Sequence, residues 1–187
     1  MKLVLGLGNP GPEYEATRHN IGWWVVEEFG ERFGFSPFRR YGPSLAATGR
    51  VGQREVLVAK PLTYMNRSGE ALVRLLGVGP IDPRLDLLVV VDDVALSVGR
   101  VRFRARGGTG GHKGLRSVEA ALGSKEYARL RIGVGSPEPG EGLTDWVLAS
   151  FSADEEEFVS RLLPELAEAV RIWVEEGVEA AGTRFNR

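Results

Sequence analysis

The stretch from Leu85 to Val91, apolar apart from Asp86 and ending in Asp92-Asp93, most constrains how this chain can fold. A strand without polar alternation is typical of a sheet covered on both faces. Leu3–Gly8 reads as a second buried strand, stopped by the Asn9-Pro10-Gly11-Pro12 turn. Leu45–Val51 and Glu55–Lys60 flank Gly52-Gln53 as a hairpin, and Gly99–Arg104 and Arg129–Val134 read as further strands. Helical patterns lie between them. Asn20–Phe33 carries Ile21, Trp24, Val25, Glu28 and Phe29 at helical spacing and is closed by Gly34. Arg67–Leu76 is closed by Gly77, and Leu115–Leu122 follows a glycine-rich loop. Ser152 and Glu155 have capping-box spacing and open a C-terminal helix over about 154–176. Its stripe is Phe158, Leu162, Leu166, Val170 and Trp173, and Pro164 is expected to bend it. Pro137, Pro139, Gly140 and Gly142 mark a mobile connection from Ser136 to Leu143. Strands alternating with helices predict one α/β domain over residues 1–187, with helices on both faces of the sheet.

Composition excludes several classes. With 43% apolar residues the chain is not disordered as a whole, and no apolar run reaches the roughly 18–20 residues of a membrane span. The start reads as a first strand rather than a signal peptide. The absence of cysteine excludes disulfides and thiolate metal sites and fits a cytoplasmic location. Two histidines, His19 and His112, leave little room for a histidine-based metal centre. The net charge of −1 hides a strong asymmetry: Gly99–Arg131 holds nine basic and two acidic residues, +7, whereas Glu138–Glu179 holds twelve acidic and two basic, −10. The basic zone can attract a polyanion, or the two segments can neutralise each other on one surface.

Gly6-Leu7-Gly8-Asn9-Pro10-Gly11 has the letters of a dinucleotide fingerprint without its mechanics. Pro10 and Pro12 interrupt the turn, and Glu13 and Glu15 would repel a phosphate. The glycines are instead expected to let the backbone turn sharply and place Asn9 at the strand's carboxyl end. Gly107–Gly114 lacks the hydroxyl residue after Lys113 that a phosphate-binding loop needs for Mg²⁺. Neither a G-x-S-x-G elbow nor an H-E-x-x-H helix is present. Alternation sends Asp92 and Asp93 in opposite directions, so one can enter a site while the other faces solvent or caps a turn. His19, in Thr17-Arg18-His19-Asn20, precedes a helix whose N-terminus disfavours imidazolium and keeps the ring able to accept a proton near neutrality. If the strands are parallel, their carboxyl ends share one edge, where Asn9, His19, Asn66 and Asp92 would converge. A His19–Asp92 pair that activates water, with amides to hold an oxyanion and no protein nucleophile, suits ester hydrolysis.

These residues carry a resemblance. Gly6–Tyr14, Thr17–Asn20, Lys60–Gly69, Val91–Asp93, Gly110–Leu115 and Arg129–Gly133 together resemble the bacterial-type peptidyl-tRNA hydrolase family, in family order and over about residues 2–175. The resemblance implies a monomeric α/β hydrolase with a mixed, twisted sheet. It would cleave the ester between a peptide and the terminal ribose of tRNA, with neither metal nor other cofactor, membrane or obligate protein partner. His19 would be the general base, Asp92 its orienting acid, and Asn9 the group that positions the carbonyl. Met65 and Asn66 would line the substrate site with Tyr14 nearby, and His112 would be a contact there rather than a second base. Arg104 and Arg131 would clamp a tRNA phosphate, and the segment at about 136–150 would be a flexible lid. Lys113 departs from the family's usual Asn, replacing a group that donates and accepts with a donor-only cation. Two other readings stay open: a non-catalytic RNA-binding module, and a nucleotide-dependent enzyme suggested by the glycine-rich turns.

Overall fold

A computed structural model describes residues 1–187. Seven strands, β1 (Lys2–Gly6), β2 (Arg39–Tyr41), β3 (Ser44–Val51), β4 (Arg54–Pro61), β5 (Leu87–Asp93), β6 (Val101–Arg104) and β7 (Ala128–Gly133), form one sheet in the order β2-β3-β4-β1-β5-β7-β6. The pairs β1–β4, β1–β5 and β5–β7 are parallel, and β2–β3, β3–β4 and β6–β7 are antiparallel. The sheet is therefore mixed. Its parallel centre is the part that reads as continuous apolar sequence: Leu87–Val91 and Leu3–Leu5 are fully buried.

Seven α-helices accompany it: α1 (Ile21–Arg32), α2 (Ser68–Leu76), α3 (Pro83–Asp86), α4 (Lys113–Leu122), α5 (Leu143–Val147), α6 (Ala153–Glu176) and α7 (Val178–Phe185). Ile21, Val25 and Phe29 of α1 and Leu166, Val170 and Trp173 of α6 pack on one sheet face with Val4, Val58 and Leu88. Leu72 and Leu75 of α2 and Leu115 and Val118 of α4 pack on the other with Leu3, Leu57 and Val89. Helices thus cover both faces, as alternation requires. The chain leaving β1 passes to one face and the chain leaving β4 to the other, which opens a crevice at the carboxyl edge of the parallel strands.

Several elements differ from expectation. The capping box of α6 is present, with the Ser152 side chain accepting from Glu155 N at 3.2 Å and Glu155 Oε2 accepting from Ser152 N at 2.9 Å. Phe158, however, is 49% exposed and Val159 takes its place in the core, because this end of α6 lies over Gly99 rather than the sheet interior. The helix runs through Pro164 without interruption. Residues 136–142 are without helix or strand, as expected, and α5 follows them within the 136–150 segment. Beyond α6, α7 packs against β6, and the chain end covers this edge strand: Arg187 N donates to Val101 O at 3.1 Å and Val101 N to Arg187 O at 3.3 Å. No helix is long and apolar enough to cross a membrane.

Candidate active site

Asn9 follows the end of β1, Met65 and Asn66 follow β4 in a short 3-10 turn, and Asp92 is the penultimate residue of β5. His19 and Asn20 occupy a 3-10 turn that runs directly into α1. This turn can reach the strand ends because Gly6 and Gly22 face each other: a Cβ on Gly22 would lie 2.5 Å from Val90 O and 2.7 Å from Leu7 O. Gly8 likewise makes room for Trp23, whose ring would lie 2.6 Å from an added Cβ. The first two glycines of the fingerprint therefore serve close packing. The sharp turn falls at Gly11, with φ of +120°, and a 3-10 turn at Pro12–Tyr14 replaces the helix that a dinucleotide would need.

His19 Nδ1 lies 2.9 Å from each oxygen of Asp92, whose side chain is 2% exposed. His112 Nε2 lies 2.8 Å from Asp92 Oδ1. On its other side His112 Nδ1 accepts from the backbone N–H groups of Gly114 at 3.1 Å and Leu115 at 3.3 Å, capping α4. A nitrogen that accepts carries no proton, so His112 holds its proton on Nε2 and gives it to the carboxylate. Burial alone would push the Asp92 carboxyl up. The hydrogen bonds of the two imidazoles, and the charge both rings carry at the low pH where this carboxyl titrates, outweigh burial and hold it well below the usual carboxylate range. An ionised Asp92 only accepts, so His19 donates from Nδ1 and its Nε2 is the basic nitrogen, with no hydrogen bond inside the protein.

His19, Asp92 and His112 bring three potential metal ligands together. The proton on His112 argues against that use. Its Nε2 could bind a metal only as imidazolate or by giving up the cap of α4. The trio is built as a hydrogen-bond relay.

Asn9 lines the same cleft as His19 and Asp92. Its Oδ1 accepts from Met65 N at 2.7 Å, which fixes the amide orientation and leaves Nδ2 without a protein partner. Asn20, fully buried, accepts from Asn9 N through Oδ1 and donates from Nδ2 to Asn9 O, both at 2.9 Å. The group expected to hold an oxyanion is thus a free N–H₂ on a backbone clamped from both sides.

Asn9, His19 and Asp92 line a cleft of about 320 Å³ together with Met65, Asn66, His112, Lys113 and Arg131. Met65 is largely buried and engages Asn9 through its backbone, while Lys113 is exposed at the first residue of α4. Tyr14 does not line the cleft but sets its ring edge-on to that of Tyr64, which does, at 6.4 Å. Tyr64, Val94, Leu143, Val147 and Leu148 supply an apolar side, and Tyr64 and Leu143 are more than half exposed there. Asp93 also lines the cleft, accepting from Ala95 N at 2.9 Å and pairing with Arg131 at 3.5 Å.

Register puts Arg102 beside Arg131 and Arg104 beside Arg129 on one sheet face. Arg129 is fully buried and donates to the carbonyls of Gly107, Gly108 and Lys125, so it supports the glycine-rich loop. Arg131 is partly committed in the same way, to Gly108 O at 2.5 Å. Arg104 is exposed and bonds only to its neighbour's carbonyl. Of the basic zone only Arg129 and Arg131 are ion-paired, with Glu119 and Asp93. The acidic residues of 138–179 pair elsewhere, with Arg18, Arg161, Arg171, Arg184 and Arg187. The two charged segments do not neutralise each other, and Arg100, Arg102, Arg104, Arg106, Lys113, Arg116 and Lys125 remain exposed and without ion pairs.

The family model for peptidyl-tRNA hydrolase matches residues 3–187. The chain belongs to the peptidyl-tRNA hydrolase family. It is 46% identical to the peptidyl-tRNA hydrolase of Symbiobacterium thermophilum over 99% of this chain and 98% of that protein. With the peptidyl-tRNA hydrolase of Gemmatimonas aurantiaca it shares 43% identity over 100% of both. The crystal structure of peptidyl-tRNA hydrolase from Acinetobacter baumannii superposes with a TM-score of 0.92 at 31% identity, covering 100% of this chain and 94% of that one.

Three features of this family member's site escape the sequence reading. Asn20 is visible only as a neighbour of His19, since its bonds run to a backbone eleven residues away. Arg18 is 5% exposed; its guanidinium lies 3.7 Å from the Trp146 ring centroid, donates to Trp146 O at 3.2 Å and pairs with Glu155 at 3.2 Å. It ties α5 to the turn that holds His19. Tyr64 has no pattern that marks it as a cleft residue, and the individual α5 side chains are foreshadowed only by the lid segment at about 136–150.

Proposed function

We propose that this chain hydrolyses the ester between a peptide and the 3′-terminal ribose of tRNA, using His19 as general base. Nε2 of His19 takes a proton from water, and the hydroxide adds to the ester carbonyl. Nδ2 of Asn9 donates to the oxyanion that forms. The intermediate then collapses with cleavage of the ester C–O bond, the protonated ring gives its proton to the departing ribose oxygen, and the peptide acid loses its proton to solvent, leaving free tRNA and a peptide carboxylate. Asp92 keeps the His19 proton on Nδ1 throughout. The observation that carries this reading is the 2.9 Å bond from His19 Nδ1 to Asp92, with Nε2 free in the same cleft as the unpartnered amide of Asn9. Nothing in this sequence of steps calls for a metal ion or other cofactor.

Asn66 and Lys113 would meet the 3′ end of the tRNA, His112 would contribute to the same wall, and the apolar side of the cleft would take peptide side chains. Tyr14 would support Tyr64. Arg104 and Arg131, with the unpaired arginines of β6, would hold tRNA phosphates, which position an RNA without reading its sequence. Segment 136–150 would act as a lid through α5. Lys113 lies outside the His19–Asp92–Asn9 set, so the departure there does not favour a purely binding role. A monomer acting on tRNA in the cytoplasm fits this reading.

The test is release of free tRNA from peptidyl-tRNA by the purified chain at several salt concentrations. The expected result is release, with Arg104→Ala weakening binding and lowering the salt slope by about 1. Binding without ester cleavage overturns the proposal.

A further inference from the structure

We infer that His112 is a positioning residue that sets how strongly Asp92 holds His19, and that it does so because the cap of α4 dictates its tautomer. The inference rests on His19 being the base. His112 uses both ring nitrogens. Nδ1 accepts from Gly114 N and Leu115 N at the start of a ten-residue helix, and this fixes the proton on Nε2, 2.8 Å from Asp92 Oδ1. The same Oδ1 lies 2.9 Å from His19 Nδ1, and the two rings stand 5.0 Å apart on one buried carboxylate. Asp92 therefore divides its charge between two N–H donors.

The second donor has a consequence for the first. A carboxylate that also accepts from His112 stabilises an imidazolium at His19 less than one serving His19 alone. His112 thereby loosens the hold of Asp92 on the Nδ1–H of His19. The other charged groups around this pair are Asp93 on β5, Lys113 on α4 and Arg131 on β7. None of them touches the Asp92 carboxylate, whose side-chain partners are the two histidines.

Two substitutions separate the two nitrogens. His112→Asn places an amide oxygen where Nδ1 stands, so the cap survives and the bond to Asp92 is lost. His112→Gln can present an N–H at the position of Nε2 while losing the cap. The experiment measures kcat/KM for peptidyl-tRNA against pH, together with thermal melting, for both variants and for His19→Ala. The expected result is that His112→Asn moves the acid limb of the profile to higher pH by roughly 0.5–1 unit, a loss of about 3- to 10-fold on that limb. Its melting temperature stays near that of the parent. His112→Gln leaves the limb in place and melts lower. An unmoved limb in His112→Asn, or equal shifts in both variants, overturns the inference and leaves His112 as a helix cap alone. Turnover retained by His19→Ala overturns the reading beneath it, whatever the His112 variants do.

Discussion

Replacing Asn20 by Ala probes how the site is held. The side chain is fully buried and makes two 2.9 Å hydrogen bonds to the backbone of Asn9, which is itself 6% exposed. Ala leaves Asn9 N–H and C=O without partners and with little access to water. An unpaired buried group costs about 1–3 kcal/mol, so the pair costs roughly 2–6 kcal/mol. A domain of this size has about 5–15 kcal/mol to lose and shifts by about 2–4 °C per kcal/mol, so the variant melts roughly 4–24 °C lower. Asn9 is the oxyanion donor of the proposed mechanism, and its displacement lowers kcat by up to about 10²-fold with a smaller effect on KM. Melting and peptide release are measured on Asn20→Ala, Asn9→Ala and the double variant. Because Asn20 acts through Asn9, the double variant is expected to be no slower than Asn9→Ala. Rate losses that multiply, or a melting shift below about 2 °C, would refute the reasoning.

Asp92→Asn removes the acceptor that fixes the His19 tautomer, and turnover is expected to fall on the order of 10³- to 10⁴-fold in single-turnover release, with KM nearly unchanged. The Asp92 carboxyl is held below its ordinary range in the folded chain, so its contribution to stability is present above that range and is lost as pH falls through the folded value. Urea midpoints of the parent should drop more steeply than those of Asp92→Asn between about pH 4 and pH 2. Arg18→Ala removes the stack on Trp146 and the hydrogen bonds to Trp146 O and Ala149 O, freeing α5 from the His19 turn. KM should rise several-fold while stability falls by about 1–3 kcal/mol, and an unchanged KM would detach α5 from substrate binding.

The centre of this molecule is legible in its sequence because burial leaves an unambiguous pattern. Leu87–Val91 is apolar because it lies between two helical layers, and the carboxyl edge of the parallel strands follows from that topology. The meeting of Asn9, His19, Asn66 and Asp92 could therefore be anticipated without any contact being visible. Strand alternation anticipates that Asp93 caps a turn while Asp92 serves the site, but not that both line the cleft. Periodicity fails where a helix outruns the sheet, as at Phe158, which packs over Gly99 instead of the core. It fails again at α7, an eight-residue helix too short to be stable alone and held by docking on β6. The relay shows the same limit. His112 reaches Asp92 across twenty residues, and its tautomer depends on two backbone N–H groups. Asn20 bonds only to backbone, which no residue spacing records.

Everything proposed for catalysis depends on the free nitrogen of His19. Single-turnover cleavage of peptidyl-tRNA by His19→Ala measures that dependence directly. The variant is expected to keep a native circular dichroism spectrum and to bind the substrate, while ester cleavage falls by about 10³-fold or more. Cleavage within about tenfold of the parent rate, far less than loss of a general base costs, would show that another group activates the water.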